Sequence, residues 1–397
     1  MRNKPPLGQS SLEHFMSRHW QRRPLLIRQA IPDFKSPVSL QRLLEIAHNE
    51  EDPAESRLIC RQRGRWSLAH GPFAEDEIPL EAKRHWTLLV QGMDLHDDAI
   101  RSLLDRFRFI ADARLDDLMI SYAVDGGGVG PHLDSYDVFL LQAQGRRHWR
   151  WGKQADNALR DAVPLKLLRD FTPTDEAILE PGDMLYLPPG WAHDGVAIGE
   201  CMTFSIGFRA PSRHELLHAW LADCADSPIR GTDPRFRDPG VKASTSPARI
   251  PDAMQRELSG WIENWRPDAQ SISRFIGRFL TEPKPNVWFE TTDRPISHTA
   301  FAQDVARKGL RADRRSRLAY RGKDFFINGE CIEPESGWRP VLRRLADQRC
   351  LAPRELAELI DDPALLNLLH DWFEAGWIRF DAEPAASGVG PRRKPRQ

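Results

Sequence analysis

Between residues 114 and 210 the chain is a run of short apolar segments cut by Gly/Pro turn clusters, and this pattern restricts its fold more than any other feature. "DLMISYAV", "DVFLLQA", "GRRHWRW", "DMLYLP" and "CMTFSIGFRA" have strand length; "DGGGVG", "AQGR", "EPGD" and "PPGW" stand between them. Short strands at regular spacing read as a β-sandwich or barrel. The flanks differ. Residues 10–110 mix helix and strand, with "SLEHFMSRHW" as an amphipathic helix and "PLLIRQAI" as a strand. Residues 213–281 read as helices broken by a polar loop, and "TEPKPNVW" as a linker. Beyond it, "RLAYRGKDFFINGECIE" reads as a hairpin turning near Asn328-Gly329, followed by three helical stretches and the strand "WIRF". Helices and a hairpin within a stretch this short resemble a winged-helix module. The fold class is therefore α+β, and 397 residues suit two or three domains.

Composition excludes several classes. A net charge of −1 gives no global reason to expect a nucleic-acid or membrane partner. No apolar run approaches the roughly 20 residues of a membrane span, and "MRNKPPLGQS" lacks the apolar stretch of a secretory signal. Five scattered cysteines without a CxxC fit a reducing cytoplasm better than a disulfide frame.

The chemistry concentrates in "GGGVGPHLDSYDVFLLQAQGRRHWRW". His132 and Asp134 are two apart, so on a strand both face the same way. They supply two thirds of the 2-His-1-carboxylate set of non-haem Fe(II) oxygenases. A second His-x-Asp, His96 and Asp98, sits in the polar, helix-like "MDLHDDAI" and reads as surface. The run Gly126–Gly130 permits tight turns beside the site but spells no phosphate-binding motif. A third ligand must come from a distant strand, and "EPGDMLYLPPGWAHDG" offers His193. Arg147, Trp149 and Trp151 share one strand face; Arg146, His148 and Arg150 share the other. An inward Arg147 needs an anion. A guanidinium gripping the far carboxylate of 2-oxoglutarate, whose keto-acid end chelates the metal, meets that need.

These stretches, with "LEPGDMLYLPPGWAHDG" and "FSIGFRAP", resemble the JmjC ribosomal oxygenases, most of all the bacterial members that hydroxylate an arginine of a large-subunit ribosomal protein. The resemblance covers nearly the whole chain. It implies an N-terminal mixed part packing on the barrel (1–90), a double-stranded β-helix (cupin/JmjC) core (91–212), a helical dimerisation region (213–283) and a winged-helix domain (284–381); the stretch 382–397, outside the resemblance, is Pro/Gly-containing and basic and reads as a disordered tail. It implies His132, Asp134 and His193 as iron ligands and Arg147 as the 2-oxoglutarate anchor, with O2 as the other co-substrate. It also assigns a substrate pocket to Asp117, Met119, Tyr136 and Ser205, in which Asp117 pairs a guanidinium. There is one departure: relatives carry a serine where this chain has Ala123, so Arg147 must do more or another hydroxyl must substitute.

The expected activity is hydroxylation of an arginine β-carbon in a 50S ribosomal protein by a cytoplasmic homodimer. No general base is required, so no separate catalytic residue is assigned. One alternative keeps the chemistry and makes the target a histidine. Another, of a different class, is a metal-binding cupin fused to a winged-helix DNA-binding regulator. Acidic residues near "ELAELIDD" dilute the basic helix "RPVLRRLADQR", so no specific DNA binding is expected.

Overall fold

A computed structural model describes residues 4–226, 235–237, 239–240, 248–264, 268–291, 295–356 and 362–381. The basic tail expected at 382–397 and much of the polar loop after residue 226 lie outside them.

Nine antiparallel strands form the main sheet: β1 (Leu25–Ile27), β2 (Ser56–Gln62), β3 (Arg65–His70), β4 (Trp86–Val90), β5 (Leu115–Ala123), β6 (Val138–Gly152), β7 (Asp175–Leu179), β8 (Met184–Leu187) and β9 (Ala192–Phe208). Their order is β1-β8-β6-β9-β5-β4-β2-β3, with β7 pairing the second half of β6. The long strands β6 and β9 pair along most of their length and carry the roll of the double-stranded β-helix. Strands from residues 1–90 continue the same sheet: β1 bonds to β8 and β4 to β5.

Alternation decides what each face buries. On β5, Leu118, Ile120 and Tyr122 enter the main core, together with Phe139, Leu141, Tyr186, Phe204 and Ile206. Two helices from the N-terminal part, α1 (Leu12–Arg18) and α2 (Leu40–Ala47), close that core with Phe15, Leu43 and Ile46, none more than 4% exposed. Ser11 and Ser39 cap their first turns by accepting from His14 N–H and Arg42 N–H. The opposite face holds a smaller cluster of Val138, Leu140, Trp149, Trp151, Leu179, Leu185 and Leu187.

Even-numbered residues of β6 line that second cluster before Gln142, and odd-numbered ones after Arg146. The register shifts between Gln142 and Arg146 explain the change. "AQGR", read from sequence as a turn, is thus a bulge inside one continuous strand. Gly145 has φ +63°, and a Cβ there would lie 2.1 Å from the Glu200 carbonyl oxygen. Only glycine fits this bulge, and its effect is to turn Arg147 inward.

Past the short helices α3 (Met93–His96) and α4 (Asp98–Leu104), and after β9, come α5 (Arg213–Asp226), α6 (Asp252–Asn264) and α7 (Ala269–Thr281). The C-terminal unit has its own core, built on α8 (His298–Lys308), α9 (Arg339–Gln348), α10 (Pro353–Leu356) and α11 (Pro363–Glu374) with two small sheets. One sheet joins β10 (Leu310–Ala312), β14 (Cys350–Leu351) and β15 (Ile378–Phe380); the other joins β11 (Leu318–Arg321), β12 (Asp324–Ile327) and β13 (Glu330–Ile332). The expected single hairpin is therefore two. Its Asn328-Gly329 turn has φ +48° and +86°, as a type I′ turn needs. Guanidinium groups fasten this unit to the main sheet's flank: Arg315 to Asp52, Arg379 to Asp98, and Arg108 to the Ala346 and Asp347 carbonyls.

Candidate active site

His132 does not lie on a strand. It follows the glycine run as extended loop and forms an isolated bridge to His193 at the start of β9: His132 N–H donates to the His193 carbonyl at 3.1 Å and His193 N–H returns the bond at 3.0 Å. Two residues far apart in sequence are thereby locked side by side. Each ring sits near a carbonyl through Nδ1, His132 with Gly130 at 2.8 Å and His193 with Trp191 at 3.1 Å. A carbonyl only accepts, so Nδ1 carries a proton in both rings, and in the neutral tautomer this leaves Nε2 as the free ligand atom. Both Nε2 atoms face Asp134, at 3.9 Å from Oδ1 for His132 and 3.6 Å from Oδ2 for His193. Burial above all, and then the neighbouring His132, hold the His193 imidazole down at about 4, so it is neutral over the working pH range.

Two bare imidazole nitrogens and a carboxylate, their ligand atoms all within 4.8 Å of one another, suit a divalent first-row metal. Among the described residues no other group of three His, Cys, Asp or Glu side chains does so. His96 and Asp98 are engaged elsewhere, with Asp52 and Arg379.

Arg147 is 4% exposed. Its Nη1 donates to Ser121 Oγ at 3.1 Å, and its guanidinium lies 5.6 Å from the centre of the Trp149 ring. Its Nε and Nη2 are buried with no acceptor among the described residues. A buried cation with two idle donors fits a ligand carboxylate. Ser121 was not singled out from sequence, although it shares the strand face of Asp117 and Met119. Thr87 carried no sequence signal at all: it stands in register opposite Ala123, and its buried hydroxyl has no partner among the described residues.

Asp117 is 6% exposed on the same face of β5. Burial chiefly, with Asp116 and Asp94 beside it, pushes its carboxyl up to about 6 despite the opposing pull of Lys284. An ideal Cβ on Gly207 would lie 3.4 Å from Asp117 Oδ1 and 4.0 Å from Tyr136 Cε2, so both side chains border the space above that glycine. Met119 and Ser205 are register partners on β5 and β9, both half-buried. Tyr136 is exposed. The four side chains assigned to a pocket thus flank one end of β5 and β9.

A rolled antiparallel sheet with a two-histidine, one-carboxylate cluster and a buried guanidinium lacking a counter-ion defines a JmjC-type oxygenase. Residues 102–216 match the JmjC domain and residues 264–379 the ROXA-like winged helix. The chain is 32% identical over 375 residues to the ribosomal protein uL16 3-hydroxylase of Escherichia coli, covering 92% of this chain and 97% of that one. It is 36% identical to a probable ribosomal oxygenase of Haemophilus influenzae, over 93% and 96% of the two chains. The structure of YcfD, a ribosomal oxygenase from Escherichia coli, in complex with cobalt and 2-oxoglutarate superposes with a TM-score of 0.80 at 31% identity, over 94% of this chain and 99% of that one. The chain belongs to the family of bacterial ribosomal oxygenases.

Proposed function

We propose that this protein is an Fe(II)- and 2-oxoglutarate-dependent hydroxylase of the large-subunit ribosomal protein uL16, acting on the β-carbon of an arginine. The reading rests on the full-length likeness to the uL16 3-hydroxylase; the observation that favours arginine is Asp117, a buried carboxylate bordering the space beside Tyr136. In the active protein His132, Asp134 and His193 hold the iron. With O2, the iron and 2-oxoglutarate supply oxidation of an unactivated C–H bond, coupled to decarboxylation of the oxo acid to succinate and CO2.

The residues of this chain bind and orient. Arg147 grips the distal carboxylate of 2-oxoglutarate through its idle donors, with Ser121 fixing the plane of the guanidinium. Thr87 supplies a hydroxyl on the face where Ala123 has none. Asp117 pairs the substrate guanidinium, while Tyr136, Met119 and Ser205 flank the aliphatic stem and set the β-carbon toward the metal. Exposed Leu217 and Leu221 on α5, with Trp261 and Ile262 on α6, form the contact face of a homodimer. No helix among the described residues is long and apolar enough to cross a membrane; the protein works in the cytoplasm, where its substrate is made.

Mass spectrometry of ribosomal proteins from a deletion strain tests the reading. We expect a +16 Da modification on one uL16 arginine to vanish, and to return with the wild-type gene but not with Asp134→Ala. An unmodified uL16 in the parent strain sinks it. Were the target a histidine, Asp117→Asn would retain turnover of the native substrate.

A further inference from the structure

Lys284 belongs to the segment that leaves α7 for the C-terminal unit, remote in sequence from every residue of the site. Its ammonium lies 3.1 Å from Asp116 Oδ1 and 3.5 Å from Asp117 Oδ2. The two oxygens of Asp117 are unlike. Oδ2 accepts from Gly92 N–H at 3.2 Å and from Lys284. Oδ1 takes no hydrogen bond from the described residues and faces the space bordered by Gly207 and Tyr136.

We infer that Lys284 is a positioning residue for substrate recognition: it pins one oxygen of Asp117, keeps the buried carboxylate ionised, and leaves the other oxygen turned toward the incoming guanidinium. The inference rests on Asp117 as the partner of a substrate arginine. The charge balance around Asp117 explains why a fixed cation is needed. Asp94 and Asp116 both oppose its ionisation, as does burial; Gly92 N–H and Lys284 favour it. Tyr136 borders the same space as a neutral phenol, and Arg317 is committed to Asp116, whose carbonyl it reaches at 3.2 Å. The ammonium is itself suited to the task. Burial works against its charge, but Asp117 and Asp116 outweigh burial and raise its pKa, so it is protonated throughout the range in which Asp117 titrates. Without Lys284 the carboxyl, already raised to about 6, loses the cation that opposes burial, Asp94 and Asp116 and moves further upward; to the extent that it is protonated it has no ion pair to offer. Because Lys284 enters from the connection to the C-terminal unit, recognition on the sheet depends on how that unit is seated.

The test measures binding rather than turnover. The full chain is loaded with Mn(II) and N-oxalylglycine and titrated, between pH 6 and 9, with arginine-containing peptides of the organism's own uL16 and with their citrulline counterparts. Lys284→Met should bind the arginine peptide at least about tenfold more weakly at pH 7, recover as the pH rises, and leave the weak citrulline binding unchanged. Lys284→Arg should restore the wild-type profile. N-oxalylglycine affinity and the melting temperature report whether the variant is folded. A Lys284→Met profile that parallels wild type overturns the inference. Loss of peptide binding that is independent of pH, or that Lys284→Arg does not rescue, assigns Lys284 a merely structural role and overturns it too. Asp117→Asn separates the two ideas: if it binds the arginine peptide as wild type does, the arginine-pocket reading fails and this one with it. If Asp117→Asn loses binding while Lys284→Met does not, only the role of Lys284 falls.

Discussion

His132, His193 and Arg147 are each held by a backbone or side-chain partner that leaves other nitrogen atoms for chemistry. His132 and His193 give Nδ1 to carbonyls and keep Nε2; Arg147 gives Nη1 to Ser121 and keeps Nε and Nη2. Two outcomes follow at this scale. Arg147→Gln should weaken 2-oxoglutarate binding about tenfold to a hundredfold, the loss of a charge-assisted pair, and leave metal affinity intact; calorimetric titration of each ligand separates the two. The metal-free protein should lose stability as pH falls from about 6.5 toward 4. His193 has its folded-state pKa held down at about 4, whereas the unfolded chain takes up its proton near 6.5, so acid favours the unfolded state across that window. Melting temperatures of the apo protein between pH 4 and 7 check this, and bound metal should enlarge the dependence because protons compete for the same nitrogen.

At the scale of the element, the bulge in β6 determines which way Arg147 faces. Strand alternation assigned Arg147, Trp149 and Trp151 to one face correctly, because all three follow the bulge. Which face turned inward was settled by the register shift at Gln142–Arg146. Gly145→Ala sets a methyl against the Glu200 carbonyl at a positive φ, so we expect a destabilisation of about 1–3 kcal/mol. Weaker 2-oxoglutarate binding should accompany it as Arg147 loses its aim. Chemical denaturation and ligand titration of one variant read both; an unchanged 2-oxoglutarate affinity in a destabilised protein would detach the bulge from the site. The expected strand through His132 and Asp134 also failed at this scale. Pro131 and the glycines keep that stretch out of the ladder, and the bridge to His193 does the aligning instead.

For the whole molecule, the apolar residues of α5 divide between internal packing and exposure. Trp220 packs edge-on against Phe275 of α7, with ring centres 4.9 Å apart, whereas Leu217 and Leu221 remain 51% and 60% exposed. The double substitution Leu217→Ser, Leu221→Ser should convert a dimer to a monomer in light scattering without lowering metal affinity; a wild-type monomer at micromolar concentration would contradict the proposal. The sequence by itself determined the run of strands, the winged-helix module and the identity of the three ligand candidates, because period, turn residues and donor chemistry are local properties of the chain. Only the tertiary structure decided that His132 meets His193 through backbone bonds, that Ser121 holds Arg147, that Thr87 faces Ala123 and that Lys284 reaches Asp117. Those pairings join residues from tens of positions apart to well over a hundred, and nothing in local propensity records which distant side chain a rolled sheet will bring alongside.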